Sequence, residues 1–310
     1  MSRSSLTLPA FAKINLSMKV LGKRPDGYHE VDTVLQTISL HDTIMFAVTE
    51  TPEITLSCDD RSLPKGGDNL VYRAAESLQT RFAPGKGAHI RLNKRVPAQA
   101  GLGGGSADAA TTLIALTYLW QVNAKAQELL EIANSLGTDV PFFLFGGTAR
   151  GTGLGHDLAT LRYSPDQFLL VVKPNANIAT PEAYNSLKAR SLTTAEAKTI
   201  LSSSERDGIS DSFDSKNLQN DFEPAVFDLA PEIKRAKVAL MKAGAEAALL
   251  AGSGSAVFGI FDNGDAQERA IQMIELEAGW RVFLCRTVGR SAYRKAMGPA
   301  GEIFALLFGR

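Results

Sequence analysis

Between Val96 and Leu116 the chain reads VPAQAGLGGGSADAATTLIAL, and four of the five residues from Gly101 to Gly105 are glycine. Such a run gives up backbone order, so a chain that keeps it directly ahead of a helical pattern needs it for sterics or for a ligand. Backbone N–H groups can wrap an anion only where side chains do not obstruct them. A helix start adds unpaired amides and the positive end of its dipole. Two common phosphate fingerprints do not describe this loop. G-x-G-x-x-G fits at Gly101 and Gly103 but meets Ser106 where its third glycine belongs. G-x-x-x-x-G-K-[ST] fails at Gly22-Lys23 and at Gly85-Lys86, where Arg24 and Gly87 follow and the upstream glycine is missing. The loop therefore reads as a phosphate cradle of another kind. The alternative is a tight strand-to-helix crossover that needs glycine for sterics alone.

Composition narrows the ligand. The 310 residues are 45% hydrophobic and 21% charged, an ordinary globular balance with enough apolar material for a sizeable core or two domains. Basic and acidic residues number 33 each, so no global field recruits nucleic acid or a membrane surface, and a small ligand is expected. Cys58 and Cys285 stand far apart, without metal-ligand spacing, which points to a reducing compartment. His29, His41, His89 and His156 form no metal motif. No apolar run approaches a membrane span, and the start resembles no signal or transit peptide, so a cytoplasmic location is expected.

The first half opens with strands. FAKINLSMKV alternates Ala12, Ile14, Leu16 and Met18 against Lys13, Asn15, Ser17 and Lys19, a half-buried strand with one polar face. TISLHDTIMFAV, EITLSC and AHIRLNKRV read as further strands, and DNLVYRAAESLQTRFA as a helix capped by Asp68. An amphipathic helix follows the glycine loop from near Ser106, and AQELLEIANSLG ends on Gly137 as a C-cap. A boundary falls between Gly146 and Tyr163, dividing the chain into residues 1–155 and 156–310. The second half gives the strand QFLLVVKPN, the helix PEIKRAKVALMKAG, a strand pair in EAALLAGSGSAVFGIF, the helix AQERAIQMIELEAG and the strand WRVFLCRTV. That order suggests an α+β layer of helices on an antiparallel sheet. The serine-rich stretch at 191–216 is the segment expected to be mobile.

Three further features bear on chemistry. Lys13 and Asn15 share a strand face by the two-residue period, so a cation and an amide can meet one ligand, although a lysine on a polar face is usually solvated. RPDGYHE is a turn built by Pro25, Asp26 and Gly27; Tyr28 and His29 after it suit either a flat ring or turn-edge packing. In GTDVPFF, Asp139 either caps the next short helix or accepts a proton from an attacking hydroxyl.

Taken together these stretches resemble the GHMP kinase superfamily. P-x-x-x-G-L-G-[GS]-[GS]-S is present from Pro97 to Ser106, and a third motif from Ala251 to Gly259. Within it, AKINLSMKVLGKRPDGYHEVDTVLQTISLHD resembles the signature of the 4-diphosphocytidyl-2-C-methyl-D-erythritol kinase family, with GTDVPFF and NDFEPAV also fitting. The resemblance implies an α+β, two-domain fold: an N-terminal domain with a left-handed βαβ crossover and a C-terminal ferredoxin-like domain, with the active site between them. It implies ATP as phosphoryl donor with Mg²⁺, and the 2-hydroxyl of a cytidine-diphosphate-linked methylerythritol as acceptor. No nucleic-acid or membrane partner is expected, and the protein would be a monomer or weak homodimer.

The resemblance also assigns residues. Asp139 matches the catalytic base and Lys13 its electrostatic partner. Pro97, Ala98, Gln99, Ala100, Gly101, Leu102, Gly103, Gly104, Gly105, Ser106 and Ala107 would bind the triphosphate, with Ser106 near Mg²⁺. Tyr28 and Tyr184 would wall the cytosine, His29 would read its edge, and Asn15 would contact the erythritol end. Ala107, Thr138 and Ala251 depart from the residues common in the family, and none of the three removes a catalytic group. Kinases of homoserine, mevalonate or sugars are the nearest rivals, and RPDGYHE argues against them because those substrates carry no base.

Overall fold

The computed structural model describes residues 4–162, 166–187, 218–274 and 279–308, together with Ser191, Thr193 and Glu196. Most of the serine-rich stretch lies outside the described residues. The chain opens with two long antiparallel strands, β1 (Ser5–Lys23) and β2 (His29–Thr49), joined by the RPDGY turn. β3 (Ile54–Cys58), α1 (Leu70–Phe82) and β4 (Gly87–Asn93) form a βαβ unit whose two strands are parallel neighbours. β4 then pairs antiparallel with the far half of β2. Asn69, not Asp68, caps α1: its side chain accepts from the Val71 amide at 2.9 Å. Asp68 instead faces the cavity described below.

The helix after the glycine loop, α2 (Gly104–Leu119), starts two residues earlier than its periodicity indicates. It is also not amphipathic. Nearly every residue from Ala107 to Leu119 is buried, because the sheet, α1 and the next helices enclose it. Its small residues, Ala107, Ala109, Ala110 and Ala115, permit that enclosure. α3 (Ala126–Leu136) ends at Gly137, whose φ of 164° is extended and asks for no glycine. A short α4 (Phe142–Phe145) leads to the hairpin β5 (Thr148–Thr152) and β6 (Asp157–Leu161), which joins the first sheet through β2. That sheet therefore runs past residue 155, to Leu161.

The second sheet is built from β7 (Phe168–Lys173), β9 (Ala247–Leu250), β10 (Val257–Phe261) and β11 (Arg281–Arg286), all antiparallel in the order β11-β7-β10-β9. Numbered within the sheet this is 4-1-3-2, the ferredoxin-like arrangement. Between β7 and β9 come α5 (Thr180–Ser186), β8 (Gln219–Asn220), α6 (Glu223–Leu229) and α7 (Pro231–Lys242); α8 (Gly264–Ile274) precedes β11. From Phe168 to Val172 the strand is apolar throughout because both faces are covered. Leu169 and Val171 pack towards β1 and β2, whereas Leu170 and Val172 pack with residues of α5 to α8. The two sheets thus share a core through Ala12, Ile14 and Leu16 of β1 and Phe258 and Ile260 of β10.

The chain ends with α9 (Arg290–Ala296) and α10 (Gly298–Leu307), for which the sequence reading offered no element. They return to the first half: Tyr293, Met297, Ala300 and Phe304 join the core around α2, and the Tyr293 hydroxyl donates to the Phe143 carbonyl. Truncating Phe304, 3% exposed in that core, to alanine should cost about 3–5 kcal/mol. Urea denaturation should show a lowered midpoint for the N-terminal signal; a change under about 0.5 kcal/mol would mean that α10 adds no core.

Candidate active site

β1 is not a half-exposed strand. Every residue from Ala10 to Met18 is buried, so the face carrying Lys13, Asn15 and Ser17 is covered rather than solvated. Register shifts interrupt the β1–β2 ladder between Phe11 and Lys13 and between Asn15 and Ser17, leaving a short aimed segment between two irregularities. The Lys13 amide donates to Leu102 O at 2.9 Å, which joins this segment to the glycine loop. Lys13 is 4% exposed. Its ammonium donates to Asn15 Oδ1 at 2.8 Å and stands 3.5 Å from Asp139 Oδ2. Asn15 Nδ2 in turn donates to Thr33 Oγ1, which donates to Ser17 O, so the amide's orientation is fixed. Asp139 does not cap α4, whose N-cap position is Pro141 with no side-chain bond; its carboxylate faces Lys13.

The glycines of the loop serve different needs. Gly101 and Gly103 have φ of +74° and +69°, a region that favours glycine. A Cβ on Gly101 would also stand 1.8 Å from Ala251 O, and one on Gly104 would press Val96 at 2.9 Å. A Cβ on Gly105 would meet only Leu70 Cδ1, at an ordinary 3.6 Å. The first α2 bond runs from Ala107 N to Gly103 O, so the amides of Gly104, Gly105 and Ser106 have no intrahelical acceptor. They form the donor set an anion needs.

These groups line one cavity of about 470 Å³ between the two sheets. Pro97 to Ser106 form one wall, and Lys13, Asn15 and Asp139 stand at its middle. Ala107 is not on that wall; it is buried in the α2 core. Tyr184 lines the other end, stacked on His29 with ring centres 4.9 Å apart and packed edge-on against Phe222. Tyr28 stands at the turn tip, 63% exposed, and does not line the cavity. Burial, with the Asp139 charge adding, pushes the Tyr184 hydroxyl up to about 12. Burial and the Lys23 ammonium push the His29 imidazole below its ordinary value, so at neutral pH it stacks uncharged.

Sequence reasoning missed several residues here. Asn69, Lys94 and Asp108 line the glycine-loop end, and Thr180 and Ser253, hydrogen-bonded to each other at 3.1 Å, line the other. Asn220 does not line the cavity but holds it closed: its Nδ2 donates to Leu250 O and Gly252 O at 2.8 Å each. The lone charged residue in the α2 run was the available signal for Asp108.

The description of the GHMP kinases N terminal domain matches residues 69–147, and that of the GHMP kinases C terminal matches residues 207–278. A relative from Pelotomaculum thermopropionicum named 4-diphosphocytidyl-2-C-methyl-D-erythritol kinase is 44% identical over 82% of this chain and 88% of its own. One of the same name from Pelodictyon phaeoclathratiforme is 40% identical over 97% of this chain and 99% of its own. The chain belongs to the 4-diphosphocytidyl-2-C-methyl-D-erythritol kinase family. A crystal structure of 4-(cytidine 5'-diphospho)-2C-methyl-D-erythritol kinase superposes with a TM-score of 0.74 at 32% identity, covering 92% of this chain and 100% of that one. Homoserine kinase from Cytophaga hutchinsonii shares the fold, with a TM-score of 0.68 at 19% identity, covering 93% of this chain and 96% of that one.

For this family member the contact of Gly101 with Ala251 gives a direct test. Gly101→Ala adds a strained φ, roughly 1 kcal/mol, and a clash with a carbonyl that can only be relieved by parting the two loops. Turnover should fall at least about 100-fold while the far-ultraviolet circular dichroism is retained; near-normal turnover would show that the loops need not touch.

Proposed function

We propose that this protein uses ATP to phosphorylate the 2-hydroxyl of 4-diphosphocytidyl-2-C-methyl-D-erythritol, in the non-mevalonate route to isoprenoid precursors. The single observation that supports this best is the position of Lys13. It stands between an anion-binding loop and a carboxylate, in a cavity whose far end offers a stacked aromatic face.

In this reading the free amides of Gly104 to Ser106 hold the triphosphate, and the base of the acceptor rests near His29 and Tyr184. Asp139 orients the acceptor hydroxyl and accepts its proton. The hydroxyl oxygen bonds to the γ-phosphorus as the bond from that phosphorus to the β,γ-bridging oxygen breaks, releasing ADP. The Lys13 ammonium, fixed by Asn15, stabilises the negative charge that develops on the transferred group. No cluster of three His, Cys, Asp or Glu that could cage a metal occurs among the described residues. The donor set suits an ion carried in on the phosphates, with Ser106 Oγ and Asp139 as the protein groups that would hold it. Mg²⁺ so bound supplies charge neutralisation. No helix among the described residues is long and apolar enough to cross a membrane. We take the enzyme to be cytoplasmic and monomeric or weakly dimeric, acting on a free small molecule without nucleic-acid or membrane partners, a reading in keeping with the balanced charge of the chain.

A coupled ADP-release assay with the cytidylated substrate beside mevalonate and homoserine tests the assignment; turnover with the first alone is expected. Asp139→Ala should lower kcat by about 100- to 10,000-fold with ATP binding nearly intact. Near-wild-type turnover would remove Asp139 from the chemistry. Tyr184→Leu should raise KM for the cytidylated substrate at least about tenfold while leaving KM for ATP unchanged, and equal effects on both would place the base elsewhere.

A further inference from the structure

Val31 and Thr33 of β2 line the cavity, and by the two-residue period the carboxylates of Glu30 and Asp32 belong to the opposite face of that strand. Each meets an arginine, but the two pairs differ. Asp32 takes both arms of Arg150 from β5, Nε on Oδ1 and Nη2 on Oδ2 at 2.8 Å each, in a partly open place. Glu30 is 1% exposed, and neither of its oxygens has a donor at hydrogen-bonding geometry among the described residues. Its ion-pair partner is Arg24, whose Nη1 stands 3.6 Å from Oε2. Burial pushes the Glu30 carboxyl above its ordinary value, and the Arg24 charge and the Gly153 backbone draw it back. A buried carboxylate is costly without a partner, and a charge at this distance acts more strongly in the interior than at the surface. Arg24 therefore makes the Glu30 anion tolerable, and Glu30 in turn fixes where that guanidinium stands.

Arg24 belongs to the turn between β1 and β2. That turn is closed on itself, by Arg24 N to Tyr28 O at 2.7 Å and Gly27 N to Arg24 O at 3.0 Å. The other arm of the guanidinium, Nη2, meets Asp26 Oδ2 at 2.9 Å, and Asp26 Oδ1 accepts from the Tyr28 amide at 3.2 Å. Asp26 is 47% exposed, so that pair by itself adds little. The guanidinium thus reaches from a buried carboxylate to the tip of an exposed turn. His29 lies between that tip and Glu30, and its ring stacks on Tyr184. One residue further on, Val31 N donates to Gly153 O at 2.8 Å, next to Leu154 and Gly155 of the cavity wall. We infer that Glu30 is a positioning residue for the base of the acceptor: through Arg24 it holds the RPDGYH turn, and with it the His29 ring, against Tyr184. This rests on the reading of the aromatic end as the site of the base. Glu30 lies outside the cavity lining and acts through Arg24 alone. Without its charge, Arg24 keeps only the surface pair with Asp26, and the turn is free to move with its tip.

The test is steady-state ADP release by the full chain, with the cytidylated substrate and ATP varied in turn. Glu30→Gln keeps the shape of the side chain and removes its charge. It should raise KM for the cytidylated substrate about fivefold to twentyfold, while KM for ATP and kcat stay within about twofold of wild type. Arg24→Met should do the same, and the double variant should be no worse than the worse single one, since both act through one contact. Asp26→Asn keeps an acceptor for the Tyr28 amide and removes the surface pair; it should shift KM by less than about twofold. Arg24 and Asp26 are both partly exposed, so this comparison carries the test should Glu30→Gln prevent folding. Unchanged KM for the cytidylated substrate, equal rises in both KM values, effects that multiply in the double variant, or an Asp26→Asn effect as large as that of Arg24→Met would overturn the role of Glu30. Absence of turnover of the cytidylated substrate by the wild type would instead overturn the base-site reading beneath it.

Discussion

Two loops that touch backbone to backbone make the rest of this structure possible. Gly101 lies against the Ala251 carbonyl with no room for a Cβ, and Ala100 O accepts from Ala256 N at 3.1 Å. On its other side the loop takes the Lys13 amide through Leu102 O. A flexible glycine run is thereby fastened to the second sheet at one point and to β1 at another. The entropy that glycine costs is offset by fixing the run at both ends, and its free amides are held in place before any anion arrives. Asn220 secures the partner loop in the same manner, from a strand that pairs with β1.

The same junction explains how a lysine can be buried without being silenced. An isolated ammonium would be expensive in the interior. Lys13 has Asn15 as a fixed acceptor and Asp139 across the cavity, and the Asn15–Thr33 bonds leave the amide no freedom to turn away. Charge is thus concentrated at one point of a chain whose basic and acidic residues balance at 33 each. Fixed amides and one fixed cation need little reorganisation as negative charge moves, which is the requirement that phosphoryl transfer places on a protein.

Much of this was legible in the sequence where local pattern and structure agree. The strands around Lys13, the βαβ helix, the glycine loop and the strand–helix order of the second sheet follow from periodicity and from glycine and proline positions. What was not legible depended on contacts distant along the chain. β1 reads as half exposed because its alternation shows a polar face, and only the second half of the chain reveals that the polar face borders a cavity. α2 reads as amphipathic until α1, α3 and the returning C-terminal helices are seen to enclose it. The Asx-type cap moved by one residue because neighbouring Asp68 and Asn69 are equally good caps in sequence. Asp108 and Lys94 gave no local signal of pairing, since they are joined only when β4 is laid beside the start of α2.

The division of labour along the cavity bears on selectivity. On the proposed reading the glycine loop and its helix start would recognise only phosphate, a feature shared by any acceptor's partner nucleotide, so they would not distinguish a cytidylated polyol from an amino acid or a hydroxy acid. On that reading discrimination would come from the opposite end, where Tyr184 and Phe222 line the cavity and His29, outside the lining, stacks on Tyr184. The neutral state of His29 matters there: an imidazolium would gain from stacking only at the cost of desolvating its charge. Burial and Lys23 together keep it uncharged until the medium is more acidic than an ordinary histidine requires. Tyr28, mostly exposed at the turn tip, stands apart from the cavity lining, whereas the amides at the loop end are fixed by the fold itself.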